Sequence, residues 1–224
     1  MTAQRAVQVR PGHARASRRM RTSAAGLRLI WLHAASRRAP AALAALAVCG
    51  IGLRIALIGQ WDAYGALQLP LVFEAAAAAI VTMTTASALG EPERVAGRWL
   101  PWLRLGSAMA MTAAAIGAFA AGAVGGHLAG GTVDVLRNEA GLVGIGLLCA
   151  AVIGGGLGWV GPTAYLIAGV YGLYTQWHPP SVTTPWLWPS RPPHDLGAAI
   201  CASVVFACGL AAVTVRGARD SADE

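Results

Sequence analysis

Between residues 39 and 215 the chain is a succession of apolar runs, divided by connections too short to fold as domains. The runs cover residues 39–59, 66–89, 103–124, 140–159, 162–176 and 196–215. A helix needs roughly 20 apolar residues to cross a hydrocarbon core of about 30 Å. Irregular backbone has no place against lipid, because its N–H and C=O groups would go unpaired there. A chain patterned this way is expected to be all-α: a polytopic membrane protein of six transmembrane helices. Charge agrees, since 12% of the residues are charged, against about 25% in soluble domains.

The rest of the chain divides accordingly. Residues 1–21 are rich in arginine and lack hydrophobic periodicity, so they are expected to be disordered. Met20 offers an alternative initiation codon. In residues 22–38, Leu27, Ile30, Trp31 and Ala34 recur at the spacing of one helix face, with Arg28 and His33 off it. That predicts an N-terminal amphipathic helix lying in the membrane interface. The basic lead is too long for a secretory signal, and no A-x-A site follows the first apolar run. Residues 39–215 are the transmembrane domain and 216–224 a tail.

Arginine counts orient the bundle. With the N-terminus inside, fourteen arginines fall on the inner side and three, Arg54, Arg137 and Arg191, in the outer half. The positive-inside rule then places both termini in the cytoplasm. High Ala, Gly and Arg with no Lys is associated with high-GC bacterial genomes, so a bacterial plasma membrane is the expected location.

All 17 basic residues are arginine. A P-loop needs its lysine at the nucleotide phosphates, and Schiff-base catalysis needs an amine. This chain offers neither, so an ATPase that drives it is a separate polypeptide. No H-E-x-x-H, G-x-S-x-G or other cluster of acid, base and nucleophile is present. The expectation is a protein that is not an enzyme and has no cofactor, no metal and no nucleic-acid partner. Cys49, Cys149, Cys201 and Cys208 sit inside apolar runs with no C-x-x-C spacing, which suits small hydrophobes.

Arg54 lies fifteen residues beyond Ala39, and Glu74 fifteen before Leu89. At 1.5 Å per residue both come to about 22 Å from the inner face. On adjacent antiparallel spans they are expected to form an intramembrane ion pair, since charges at that depth seek partners. Small residues at four-residue spacing, Ala118, Gly122 and Gly126, and the pair Gly154 and Gly158, predict faces where helices approach closely. They would pack either inside the bundle or against a second copy. The segment 177–195 holds six prolines and Trp177, Trp186 and Trp188. It is expected to be an outer cap at the headgroup level, or a gate on a substrate path. His194-Asp195 suits a turn or a helix cap.

One interior segment concentrates charge: LGEPERVAGRWLPWLR, from Leu89 to Arg104. Pro92 fits an early helical turn, Glu91 and Glu93 suit a helix N-terminus, and Pro101 ends the element. This predicts a short amphipathic helix on the cytoplasmic face. With the interfacial helix, six spans and both ends inside, the layout resembles the membrane subunits of type-2 ABC exporters. In that family an E-x-E/R-x-x-G pattern ahead of a proline follows span two, and Glu91, Glu93, Arg94, Gly97 and Pro101 stand at comparable places. Arg98 replaces the threonine that commonly follows the glycine, and 177–195 does not look like a pair of re-entrant helices. The resemblance implies an exporter permease that forms the translocation pathway as a homo- or heterodimer. A separate ATPase would dock under Glu91, Pro92, Glu93, Arg94, Gly97 and Arg98. The alternative is a non-transporting membrane protein, such as an immunity, regulatory or scaffold subunit.

Overall fold

The computed structural model describes residues 38–59, 63–86, 100–126, 128, 130–177 and 184–218. Among them the regular structure is helical throughout, without strands. Six α-helices follow one another: α1 Ala39–Ile58, α2 Ala63–Met83, α3 Leu100–Ala123, α4 Gly131–Val152, α5 Val160–Trp177 and α6 Leu196–Arg216. Five of them, all but α5, include stretches long and apolar enough to cross a membrane. The 18 residues of α5 include Thr163, Tyr165, Tyr171, Tyr174, Thr175 and Gln176, which thin its apolar content. The expectation of six spans is thus met in part. Residues 1–21, the interfacial segment 22–38 except Arg38, and the tail beyond 218 lie outside the described residues.

Apolar side chains occupy the surface of the helices as well as the interior. On α1, Val48, Ile51, Ile55 and Ile58 face outward, while Ala42, Leu46, Gly50 and Leu53 are buried. Water would penalise such a stripe of exposed branched side chains, whereas lipid does not. The core between helices is made by Leu46 and Leu53 with Leu71, Val81, Met111, Phe119, Leu142 and Leu147.

The helices alternate in direction. Arg54 near the end of α1 donates to the carbonyl of Val124, just past the end of α3 (2.7 Å). At the opposite end, Gly155 beyond α4 abuts the backbone of Ala86 beyond α2, and Gly217 beyond α6 lies against the Arg104 guanidinium near the start of α3. The beginning of α1 and the end of α6 therefore share one end of the bundle with the end of α2, the start of α3 and the α4–α5 connection. The α5–α6 connection lies at the other end.

Two crossings depend on glycine. A Cβ on Gly50 would stand 2.6 Å from the Ala118 carbonyl oxygen, and one on Gly122 would strike the Gly50 backbone. A Cβ on Gly144 would stand 2.6 Å from the Phe206 backbone, and one on Gly209 2.5 Å from the Gly144 oxygen. Lipid gives helices little hydrophobic reason to associate, so such backbone proximity supplies the packing energy. The small-residue face of Ala118, Gly122 and Gly126 is spent on α1 within the chain, with Gly126 facing Leu57.

The fourth helix departs from its expected limits. It starts at Gly131 and stops at Val152. Gly154 adopts φ +119°, a region that favours glycine, and Gly155–Leu157 form a 3-10 turn. Gly154 and Gly158 are therefore not a helical packing pair; Gly158 sits in the reversal between α4 and α5, against Thr82 and Ala150. The shift also moves Asp134, Arg137, Asn138 and Glu139 from an outer loop into the helix.

Candidate functional site

The N-terminal half of α4 carries a polar face in an otherwise apolar bundle. Arg137, Asn138 and Glu139 are at most 5% exposed, and Glu74 on α2 is 2% exposed. Asp134, Arg137 and Asn138 stand at i, i+3 and i+4, so the helix presents them together. Arg137 pairs with Asp134 one turn back. Its guanidinium also donates to the carbonyls of Pro192 (2.8 Å) and Arg191 (3.3 Å). One side chain thus fastens the α5–α6 connection onto α4. Deeper in the bundle, Asn138 of α4 and Glu74 of α2 line the same crevice.

The described part of the connection, 184–195, is built as a plug. Trp188 opens the 3-10 turn Trp188–Ser190 and is 2% exposed. Its ring stacks on Tyr165 of α5 at a centroid distance of 4.4 Å and lies against Gly141 of α4. The Tyr165 hydroxyl donates to the Trp186 carbonyl at 2.5 Å. A cap at headgroup level describes Trp186, which is exposed, but not Trp188. Tryptophan fills the gap that Gly141 leaves, and burial inside protein relieves its peptide groups of contact with lipid. Asp195 closes the segment as the N-cap of α6, accepting from the Ala198 N–H at 2.8 Å and from Arg191 at 2.9 Å. Those bonds, the Ala198 one foremost, hold the Asp195 carboxyl below its ordinary range.

A cavity of about 280 Å³ lies beneath this plug, lined by Leu67, Asp134, Leu173 and the segment 189–193. A crevice of about 10 Å³ adjoins it, shares Leu67, Gly130 and Asp134, and reaches Glu74 and Asn138. Its size is near the least that admits a water molecule, about 10–15 Å³. Two buried atoms of its lining residues lack a hydrogen-bond partner, Glu74 Oε2 and Asn138 Oδ1; so do both Glu139 carboxyl oxygens and Arg137 Nε, on residues outside that lining. Ionisable groups inside a membrane bundle are costly and mark pathways or relays. Among the described residues no group of three or more His, Cys, Asp or Glu is placed to hold a metal ion.

Glu74 joins this cluster rather than Arg54. No Arg54–Glu74 ion pair exists among the described residues; Arg54 is exposed and bonded to Val124. The reason is the end of α2. Thr84 and Thr85 turn their hydroxyls onto the carbonyls of Val81 and Thr82, and the helix stops at Met83. Glu74 is then about 13 Å from that end, while Arg54 is about 22 Å from the start of α1, so their depths differ. Glu91, Pro92, Glu93, Arg94, Gly97 and Arg98 lie outside the described residues. The four cysteines are free, Cys208 exposed and the others partly buried. Comparison of the chain with protein families, with curated proteins and with solved structures gave no match.

Proposed function

We propose that the chain is the permease subunit of an ABC exporter, in which two such subunits form the pathway and a separate ATPase supplies the energy. The observation that carries this reading is the place of the α2–α3 connection. Its described ends, Ala86 and Leu100, belong to the end of the bundle where α1 begins and α6 ends. The sequence between them holds Glu91, Glu93, Arg94 and Arg98. Arginine asymmetry puts that end in the cytoplasm, within reach of an ATPase.

The packing supports a route from that connection to the polar cluster. Ala86 meets Gly155, and Thr82 lies against Gly146 and Gly158. A push on the end of α2 is therefore felt by α4 and by the α4–α5 reversal. Glu74 on α2 and Asn138 on α4 lie farther along the same two helices. The ATPase would shift the bundle between two states by binding one better than the other.

Detergent extraction of the tagged protein with its chromosomal neighbours expressed is the test. An ATPase that co-purifies, and is lost on Glu93→Lys or Arg94→Glu with the permease still monodisperse, supports the assignment. Recovery of the chain alone under all conditions refutes it and favours a non-transporting subunit.

A further inference from the structure

The crevice between α2 and α4 gathers oxygen atoms from four residues. Glu74 on α2 and Asn138 on α4 both line it, at 2% and 4% exposure. Glu74 Oε2 and Asn138 Oδ1 have no hydrogen-bond partner. Pro70, one turn before Glu74 in the same lining, has no N–H. Ala66, also in the lining, therefore has a carbonyl without the donor that a helix supplies four residues on. Asp134 completes the wall; its Oδ2 lies over Gly130, where a Cβ would collide with it. Among the described residues the lining contains no histidine, cysteine or arginine. A set of oxygens without nitrogen or sulfur suits a hard cation.

Charge and size select the occupant. Glu74 and Asp134 bring two carboxylates to the lining. The terminal nitrogens of Arg137 serve Asp134 and the carbonyls of Arg191 and Pro192. One carboxylate is left over, and a buried one needs a counter-charge. The crevice, about 10 Å³, is no larger than a single water. An organic ammonium is too large for it. Magnesium keeps several waters, and calcium takes roughly six to eight oxygens. We propose that the crevice is a sodium-binding site, in which oxygens of Glu74, Asn138 and Asp134 and the Ala66 carbonyl replace the ion's water.

Helix carbonyls released from their own donors, together with buried acids, are how membrane bundles coordinate sodium. The larger cavity shares Leu67, Gly130 and Asp134 with the crevice and is the way in. The ligands come from α2 and α4, so the ion ties these two helices together. Glu139 lies outside the lining and takes no part. The site asks nothing of an ATPase partner, so it stands or falls separately from the exporter reading.

The full chain in detergent is melted in sodium chloride and in choline chloride at equal ionic strength and pH. Above the dissociation constant, each tenfold rise in sodium should raise the melting temperature by about 3–5 °C, while choline leaves it unchanged. Radioactive sodium should bind, a single ion per chain. Both effects should vanish in Glu74→Gln and weaken in Asn138→Ala. They should persist in Gly50→Ala, which disturbs the α1–α3 crossing instead. A measurement on the wild type locates the ion even where a variant fails to fold. The sodium-minus-choline infrared difference spectrum should contain a carboxylate band that moves when glutamate alone carries carbon-13. Identical melting in sodium and choline overturns the proposal and leaves the crevice to water. A sodium effect that survives Glu74→Gln, or a difference spectrum without a glutamate band, overturns the site. Potassium or ammonium chloride matching sodium overturns the choice of ion, since both are larger and should act weakly.

Discussion

Arg137→Gln should be among the most damaging single changes in the polar cluster, and the reason lies in how its partners are distributed. The Arg137 side chain is 2% exposed and that of Asp134 14% exposed. Removing one member of a buried pair costs about 3–5 kcal/mol, because the other charge stays behind uncompensated. Asp134 lines the cavity, where water offers some compensation, which favours the lower end of that range. Two charge-assisted bonds to the 191 and 192 carbonyls go as well, partly recovered by glutamine and water. The net expectation is about 3–4 kcal/mol. Asp134→Asn also takes the counter-ion from a buried charge, but the guanidinium keeps both carbonyls and the new amide oxygen can accept from it, so it should cost less, about 1.5–3 kcal/mol. The double variant should fall about 1–2 kcal/mol short of the sum. Equilibrium unfolding in mixed micelles with increasing SDS, followed by tryptophan fluorescence, measures all three. If Asp134→Asn costs as much as Arg137→Gln, or the two add within about 0.5 kcal/mol, the guanidinium is not what holds the connection to α4.

Helix crossing and acid stability give two further expectations. Gly50→Ala brings a methyl to 2.6 Å from the Ala118 oxygen and should cost about 1–3 kcal/mol. Gly117→Ala on α3 meets open space and should be neutral or stabilising by up to about 1 kcal/mol; equal effects in SDS unfolding would deny the close α1–α3 contact. Asp195 contributes stability that is complete above the ordinary aspartate range near ~3.9 and is lost as pH falls through its lower folded value. Asp195→Ala should therefore lower the melting temperature at neutral pH, with the difference from wild type closing in acid; a constant difference down to low pH would show that the cap bond is absent.

Where apolar runs end abruptly, the sequence and the structure coincide. The run 39–59 becomes α1, Ala39–Ile58, and 196–215 becomes α6, Leu196–Arg216, capped by the Asp195 that its position before the run suggested. The limits of α4 were hidden by the chemistry that makes it interesting. A hydropathy window discards Asp134, Arg137, Asn138 and Glu139 as loop, yet each finds a protein environment that only neighbouring elements supply. The signal was present as i, i+3, i+4 spacing after two glycines, a helical period carried by polar residues. Trp188 was legible as an aromatic but not as buried, because its pocket depends on Gly141, forty-seven positions earlier. The place of Glu74 in the crevice was missed because threonines 84 and 85 end α2 with hydroxyl–carbonyl bonds that apolarity does not register.

The spacing of Asp134 and Arg137 bears on how the protein is made. A single ionised residue at a helix centre opposes insertion by about 2.5–3.5 kcal/mol. During synthesis α2 precedes α4, and the segment bearing the 191 and 192 carbonyls follows it. When α4 has been made, Glu74 already exists, but the last acceptors for Arg137 do not. The acid three residues earlier on the same helix is the partner that travels with it. Because that pair needs no other segment, α4 carries the counter-ion of its guanidinium as soon as it is made, and the later chain then closes over it.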